Sequence, residues 1–549
     1  MYKHPGVYIE HVPSSVFAIE AASTSVTAFI GEVGRGTGVT TTSGEPAFIT
    51  SQTQYAQQFG PLGGGAGGIR DMGQNVDAFG HAVSTFFANG GSKAYIVPVV
   101  SATSLGSFST VDIAVDEGTL TFTATSRGGW AEGLVVRLSQ DIERVPDTSA
   151  PGDPSNAEPG EYTLTLGTDT GQTEKIIDST DTEVDATVLN VIETFAGLRL
   201  DANSGAFIVN RVTGSSLLVT VSFTAAGSPP ATPTATYPVD ASMSAATDPG
   251  SPGDTDFQAA FDRLRDYRDI SIIVLPGLDW ATDQGVYERA ISHSEFMQNR
   301  MVLVDPENPS TLSTQLRTPT NVKSAGFPTS PYSALYYPWL TVSNPYYDPE
   351  TAANLPKTFA VGPSSMAAGM WGRIDSARGV WKAPAGLEAT VRGALGPNVM
   401  IGNALQDNLN EWGVNCLRAI IGPTVVWGGR TLATKSQPQY RYIPVRRTQN
   451  MIGESLYAAL QRVVFEPNDH RLWGGLRASV GNFMDGLYRA GAFQGEKASD
   501  AYFVNCGLGS TMTQGDIDAG IVRVVVGFAP LKPAEFVVVQ IQQIVGQTA

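Results

Sequence analysis

Between residues 257 and 308 the chain reads FQAAFDRLRDYRD, ISIIVLPGL, a polar turn, YERAISHSEFMQN and RMVLVDPEN. This alternation constrains the fold more than any other feature. ISIIVLPGL and RMVLVDPEN are continuous apolar runs that end near Pro or Asp, as strands do when both of their faces are covered. Phe257, Phe261 and Leu264 recur at helical spacing, and the segment between the two runs is helical as well. A helix joining two such strands makes a right-handed crossover, so the expected core is a parallel sheet with helices packed on it.

The same pattern opens upstream. SVTAFIGEVGRG reads as a strand, and 75–89 as an amphipathic helix with Val76, Phe79, Val83 and Phe86 or Phe87 on one side. Gly90 and Gly91 end that helix, and KAYIVPVV is a buried strand. Residues 23–100 are thus the first part of an α/β core and 257–405 its continuation, with ALYYPWLTVSN and TFAVGPSSMAAGMWGRID extending the layer. Between them the texture changes. LTFTATSRGG, GLVVRLSQ, EYTLTLGTDT, GAFIVNRVTG and SLLVTVSFTAAG read as short strands between turn residues, with one helix expected near 186–200 and a Pro/Gly/Ser/Thr linker over 227–254. Residues 101–256 are expected to be a β-rich domain inserted into the α/β domain. A chain of 549 residues has room for three or four domains.

The net charge of −17 is unevenly placed: 101–256 holds 22 acidic and 6 basic residues, the remainder 30 and 29. The insert therefore reads as a solvated, outward-facing domain whose field disfavours nucleic acid. Residues 416–500 lean the other way, with 11 basic and 6 acidic side chains. The region 406–530 reads as a compact α+β unit. Its clearest helix, 448–465, lines Ile452, Leu456, Ala459, Leu460 and Val463 on one face before Pro467 stops it. IVRVVVGFAP and EFVVVQIQQIV read as strands. Residues 1–22 and 531–549 read as extended arms, either frayed or paired with a sheet edge elsewhere. Cys416 and Cys506 read as buried thiols. MYKHPGVYIE lacks the apolar stretch of a secretion signal, and no apolar run nears the ~18 residues that span a bilayer.

Catalytic patterns are missing. The five histidines are His4 and His11 on the N-terminal arm, His81 and His293 within helices, and His470 after a helix stop. No GxSxG elbow occurs, and GPSSMAAG does not place a serine on such a turn. The glycines from 34 to 38 and from 63 to 68, and GGSKAY at Lys93, do not have phosphate-loop spacing. No Cys/His cluster has zinc spacing and no calcium loop is present, so neither a cofactor nor a metal is expected.

Five segments carry a resemblance. They are PGVYIEHV at 5–12, GPSSMAAGMWGRIDSARGVWKAPAG at 362–386, WGVNCLRAIIGPTVVWGGRTL at 412–432, YRYIPVRRTQNMIGESLYAALQRVVFEPND at 440–469 and LKPAEFVVVQIQQIVG at 531–546. In this order they resemble the contractile tail sheath family of bacteriophages and related injection machines. The resemblance implies a subtilisin-like α/β middle domain used as architecture only, a C-terminal α+β sheath domain, and no enzymatic activity. It implies a structural subunit that polymerises around an inner tail tube and contracts to drive the tube through a target envelope. Its partners would be copies of itself in stacked hexameric rings, the tube protein, and baseplate and tail terminator proteins, with no nucleic-acid contact and no membrane insertion. The implied location is the virion tail, assembled in the bacterial cytoplasm; a DNA-free phage-tail-like particle fits the same motifs. A degenerate subtilisin-type hydrolase is the alternative from another class.

The family's arms insert into neighbouring subunits' sheets. The corresponding strands here are Val7, Tyr8, Ile9 and Glu10, and Phe536, Val537, Val538, Val539, Gln540 and Ile541. Many members carry a second acid where this chain has His11. Tube-facing basic candidates are Arg441, Arg446, Arg447, Arg462, Arg471 and Arg477, because the tube surface in the family is commonly acidic. Trp371, Arg378, Gly379, Trp381 and Pro384 are expected to set packing within the signature.

Overall fold

The computed structural model describes residues 17–36, 39, 45–141, 161–180, 182–226, 235–309, 316, 319–536, 538 and 540. Residues 27–98 supply strands β1 (Thr27–Gly31), β2 (Ala47–Ile49) and β3 (Ala94–Pro98), with helices α1 (Gln52–Phe59) and α2 (Ala78–Ala88). Asp77 caps α2 by accepting the Gly80 N–H, so the helix starts three residues after the position its apolar spacing suggested.

The insert follows as β4 (Thr110–Val115), β5 (Gly118–Ala124), β6 (Leu134–Asp141), β7 (Glu161–Ile177), β8 (Glu183–Leu198), α3 (Ile208–Thr213), β9 (Val219–Ala225) and β10 (Val239–Ser242). Two expectations fail here. The helix placed near 186–200 is strand β8, paired antiparallel with β7 along a long ribbon. Its Val, Thr and Ile content suits a pleated, half-exposed surface, and register with β7 overrides the short helical period. GAFIVNRVTG, expected as a strand, contains α3, whose Ile208 and Val212 are buried. The 227–254 linker also contributes β10, which pairs with β6.

The second half of the body comprises α4 (Asp254–Arg263), β11 (Ile272–Val274), α5 (Gln284–Met297), β12 (Met301–Val304), α6 (Pro319–Ser324), β13 (Ser333–Tyr337), β14 (Leu340–Ser343), β15 (Thr358–Val361), α7 (Ser364–Arg378), β16 (Gly396–Pro397), α8 (Asn403–Glu411), β17 (Val414–Ala419) and β18 (Thr424–Trp427). Among the described residues the main sheet runs β18-β17-β13-β12-β11-β1-β3-β2. From β17 to β3 its neighbours are parallel; the two edge strands are antiparallel. Side chains alternate between its faces. Phe29, Ile272 and Leu303 pack with Phe79, Phe86 and Trp371 on one side. Ala28, Ile273 and Val302 pack with Phe257, Phe261 and Tyr287 on the other. ALYYPWLTVSN divides between two layers: β13 joins the main sheet, whereas β14 pairs with β15 and β16 in a separate small sheet.

The boundary drawn after residue 405 is displaced. β17 and β18 belong to the main sheet, so the body continues to about Leu432, whose side chain sits in the same core as Val414. The last unit is built on α9 (Ile443–Leu460), α10 (His470–Arg489), β19 (Tyr502–Asn505) and β20 (Val525–Phe528). Helix α9 starts five residues before the expected Thr448, because Pro444 fits a first helical turn. Both cysteines are free and buried.

Candidate assembly interface

The 362–386 signature folds as a loop, helix α7 and a second loop, each pinned to the body. At the start of α7, the buried Asp305 carboxylate accepts from the Ser364 N–H (2.8 Å) and Oγ–H (2.6 Å). Gly362 is required beside it, since a Cβ there would collide with that carboxylate. Burial pushes Asp305 up to about 7 even though both Ser364 bonds favour its ionised form. Midway along α7, Trp371 is fully buried and donates from Nε1 to Tyr336 Oη (2.7 Å). At its end Gly379 takes φ +88°, and the Trp381 ring fills the space a side chain would need. Arg378 pairs with Glu388 at 2.6 Å at the surface, and Pro384 is buried.

The last turn and a half of α7 meets the first turns of α9. Arg447 donates two bonds to Asp375 (2.9 and 2.5 Å), donates to the Thr24 carbonyl (2.9 Å), and stacks over Trp371 at 4.3 Å. Thr24 Oγ donates to the same carboxylate (2.6 Å). Three distant pieces of sequence therefore close on one ion pair. Arg446 is held between the Tyr332 and Tyr440 rings at 4.5 and 4.6 Å and donates to Asn450 (3.0 Å). Both arginines are only 4% exposed. This removes Arg446 and Arg447 from the tube-facing set: they sit in the helix turns that enter the body, where a charge tolerates burial only with partners. Counting charge along the sequence cannot reveal which way a helix turn faces. Farther along α9, Glu454 accepts from Arg268 (3.0 and 2.6 Å) and from Asn299 (3.0 Å).

Arg441, Arg462, Arg471 and Arg477 are exposed, and Arg477 also donates to the Cys506 carbonyl. Val464 and Phe465, between α9 and α10, are exposed as well. The β19–β20 pair forms its own two-stranded sheet, and among the described residues neither outer edge is paired with another strand. Phe503 on β19 is 52% exposed and Val525 on β20 45%.

Residues 17–24 run along this unit. The Phe17 N–H donates to Ser479 Oγ (2.9 Å) and the Ala22 N–H to Ser455 Oγ (2.8 Å), while the Phe17 and Ile19 side chains join its two apolar clusters. The arm candidates Val7, Tyr8, Ile9 and Glu10 lie outside the described residues, as do Val537, Val539 and Ile541. Phe536, Val538 and Gln540 are exposed and in no strand. Sequence reasoning missed Arg430, Glu535, Asp375 and Thr24. Asp375 lay in view inside RIDSARG, and Arg430 inside the GGRTL segment.

No group of three or more His, Cys, Asp and Glu among the described residues could hold a metal ion. His293 faces Arg300 at 3.1 Å, and burial together with that cation pushes it down to about 3. His470 packs edge-on against Trp473.

Residues 435–544, which include α9 and run well into the 531–549 arm, match the model of the phage tail sheath C-terminal domain. By that match this unit is similar to a sheath C-terminal domain. A 141-residue stretch is 35% identical to the tail sheath protein of Burkholderia phage BcepMu, covering 25% of this chain and 30% of that relative. The chain as a whole has the fold of sheath proteins. It is similar to the helical sheath of the anti-feeding prophage in its contracted state (TM-score 0.56, 22% identity, 99% of this chain and 100% of that one). It is also similar to the PVC sheath of an extracellular contractile injection system (0.53, 21%, 99% of both). A sheath tail protein from Listeria innocua gives 0.58 at 11% identity over 93% of this chain and 96% of that one. Two of the signature segments, 362–386 and 440–469, thus meet at the junction where the sheath C-terminal domain enters the body.

Proposed function

We propose that this protein is the structural subunit of a contractile tail sheath. It polymerises with copies of itself in stacked hexameric rings around an inner tail tube, and contracts to drive the tube through a target cell envelope for DNA ejection. The observation that carries this reading is the match of 435–544 to the sheath C-terminal domain, in a unit whose two-stranded sheet has no third strand on either edge among the described residues. Open edges accept strands from other chains, and main-chain hydrogen bonds persist while connecting loops bend as subunits rotate. The donors in this reading are VYIEHV and FVVVQIQQIV. Arg441, Arg462, Arg471 and Arg477 form the grip on an acidic tube, whose screened surface pairs are weak enough to release. The acidic insert faces outward. Baseplate and terminator proteins bound the polymer, which assembles in the host cytoplasm and resides in the particle's tail. Work comes from surface buried between subunits on contraction and not from hydrolysis, so no nucleotide or metal is needed.

A DNA-free particle is the second reading, favoured by the likeness to the anti-feeding prophage and PVC sheaths. Capsid and terminase genes beside this one would select the phage. Deleting residues 531–549 tests the sheath reading itself: the expected product is a soluble, folded monomer that makes no tubes. Normal helical sheaths from that truncation, seen by electron microscopy, would overturn the arm exchange.

A further inference from the structure

Among the described residues of the C-terminal tail, Glu535 forms an ion pair with the body. Its carboxylate accepts from Arg430 Nε (2.6 Å) and Nη2 (2.5 Å) and from the Tyr442 hydroxyl (3.2 Å). Arg430 is itself fixed on every side. Its third nitrogen donates to the Asn410 carbonyl (2.5 Å), and its backbone is bracketed by the buried Asn415 amide, which accepts from the Arg430 N–H (2.8 Å) and donates to its carbonyl (2.8 Å). Asn415 lies on β17, so the chain of bonds runs from the main sheet to the tail without interruption. The Arg430 side chain is 5% exposed and Glu535 17%. Immediately beyond, Phe536 and Val538 are 75% and 80% exposed. A bidentate guanidinium–carboxylate pair with low exposure is both strong and directional.

We infer that the Arg430–Glu535 clasp is the fulcrum of the C-terminal arm. It fixes where the arm leaves the subunit's own sheet and so positions the strand that reaches another copy. The inference rests on the sheath reading for what the arm does. It adds that the anchoring arginine lies on the α/β body, just past β18, with Tyr442 at the start of α9 as a second donor. When a subunit turns, the arm bends beyond residue 535 while residues up to 535 move with the main sheet.

The test uses the full chain carrying one spin label, at Ala534→Cys or at Gln540→Cys. Cys416 and Cys506 are buried, with their thiols pushed up by that burial, and do not compete for the label. In the wild-type background the label at 534 is restrained and the label at 540 free. Glu535→Ala frees the label at 534 and leaves 540 unchanged, and the melting midpoint falls because the buried Arg430 guanidinium loses its carboxylate. The same variant lowers the subunits incorporated into tubes roughly tenfold at fixed concentration, and Glu535→Gln, which keeps one acceptor, falls between. A label at 534 as free as at 540 in the wild type overturns the clasp. Freed motion at 534 with undiminished tube formation overturns the fulcrum and leaves the sheath reading standing. Wild-type protein that forms no tubes sinks both.

Discussion

The acidic insert and the C-terminal domain are joined to the α/β body in opposite ways. The insert has its own two sheets and its own core, built around Leu120, Phe122, Leu138, Leu164 and Ile208. Its two connecting strands run side by side: Ala102 donates to Asp256 (3.1 Å), Gly250 to Ser104 (2.8 Å) and Ser107 to Thr247 (3.0 Å). Beyond this neck, its contacts with the body include the Arg35 guanidinium over Trp130 and the Arg127 N–H on the Val39 carbonyl. The C-terminal domain is instead threaded into the body. Ile443 at the start of α9 sits in the main core, Met451 and Ile452 in the domain's own, and the buried Arg447–Asp375 ion pair fixes the helix between them. A unit that closes its own core at a narrow neck can be exchanged without disturbing its host, whereas a helix shared by two cores transmits force.

Arg447→Ala should show the largest effect. It leaves the Asp375 carboxylate buried without its cation, a loss of about 3–5 kcal/mol in denaturant unfolding. A loss below about 1 kcal/mol would break the comparison, because the C-terminal domain would then be attached no more firmly than the insert.

Asp305 sharpens it next. Its carboxyl is pushed up to about 7 in the folded protein from an ordinary 3.8, so between those pH values the folded state holds a proton that the unfolded chain releases. This group's contribution to stability is therefore complete below about pH 4 and is lost as pH rises through 7. Asp305→Asn should remove that fall, a gain relative to wild type of about 2–4 kcal/mol at pH 8 and little at pH 4. The residue belongs to the body, so a chain lacking the insert should show the same pH response; a response that vanished with the insert would mean the two are coupled.

Replacing residues 105–249 by a short Gly/Ser linker should cost the remaining chain no more than about 1–2 kcal/mol, and tubes should still form. Loss of polymerisation with the body still folded would move the insert into the contact network. The smallest effect on stability, within about 0.5 kcal/mol, is expected for Arg462→Glu with Arg471→Glu, since both side chains are exposed. Co-sedimentation with the inner tube should nevertheless weaken and grow less sensitive to salt. Unchanged binding would take the grip away from this surface.

The body's parallel sheet was legible because apolar runs such as ISIIVLPGL and RMVLVDPEN record burial on both faces, and that burial is local to each strand. Helix α2 was legible for the same reason, as were the two buried cysteines. The texture change at 101–256 also showed in composition. Strand β8 was not legible, since its pairing with β7 outweighs a weak helical period. Nor was the place of β17 and β18, because membership of a sheet depends on which strand a segment finds and not on its own residues. Among the basic residues the sequence determined only their number near α9. Tertiary packing decided that Arg446 and Arg447 face inward to Tyr332, Tyr440 and Asp375, while Arg462 and Arg471 face out. Arg430 and Glu535 stand 105 positions apart, and their bond exists only because the folded sheet brings the tail past β18. Periodicity reads what a residue contributes to its own helix or strand; partners far along the chain are chosen by the shape that many such elements make together.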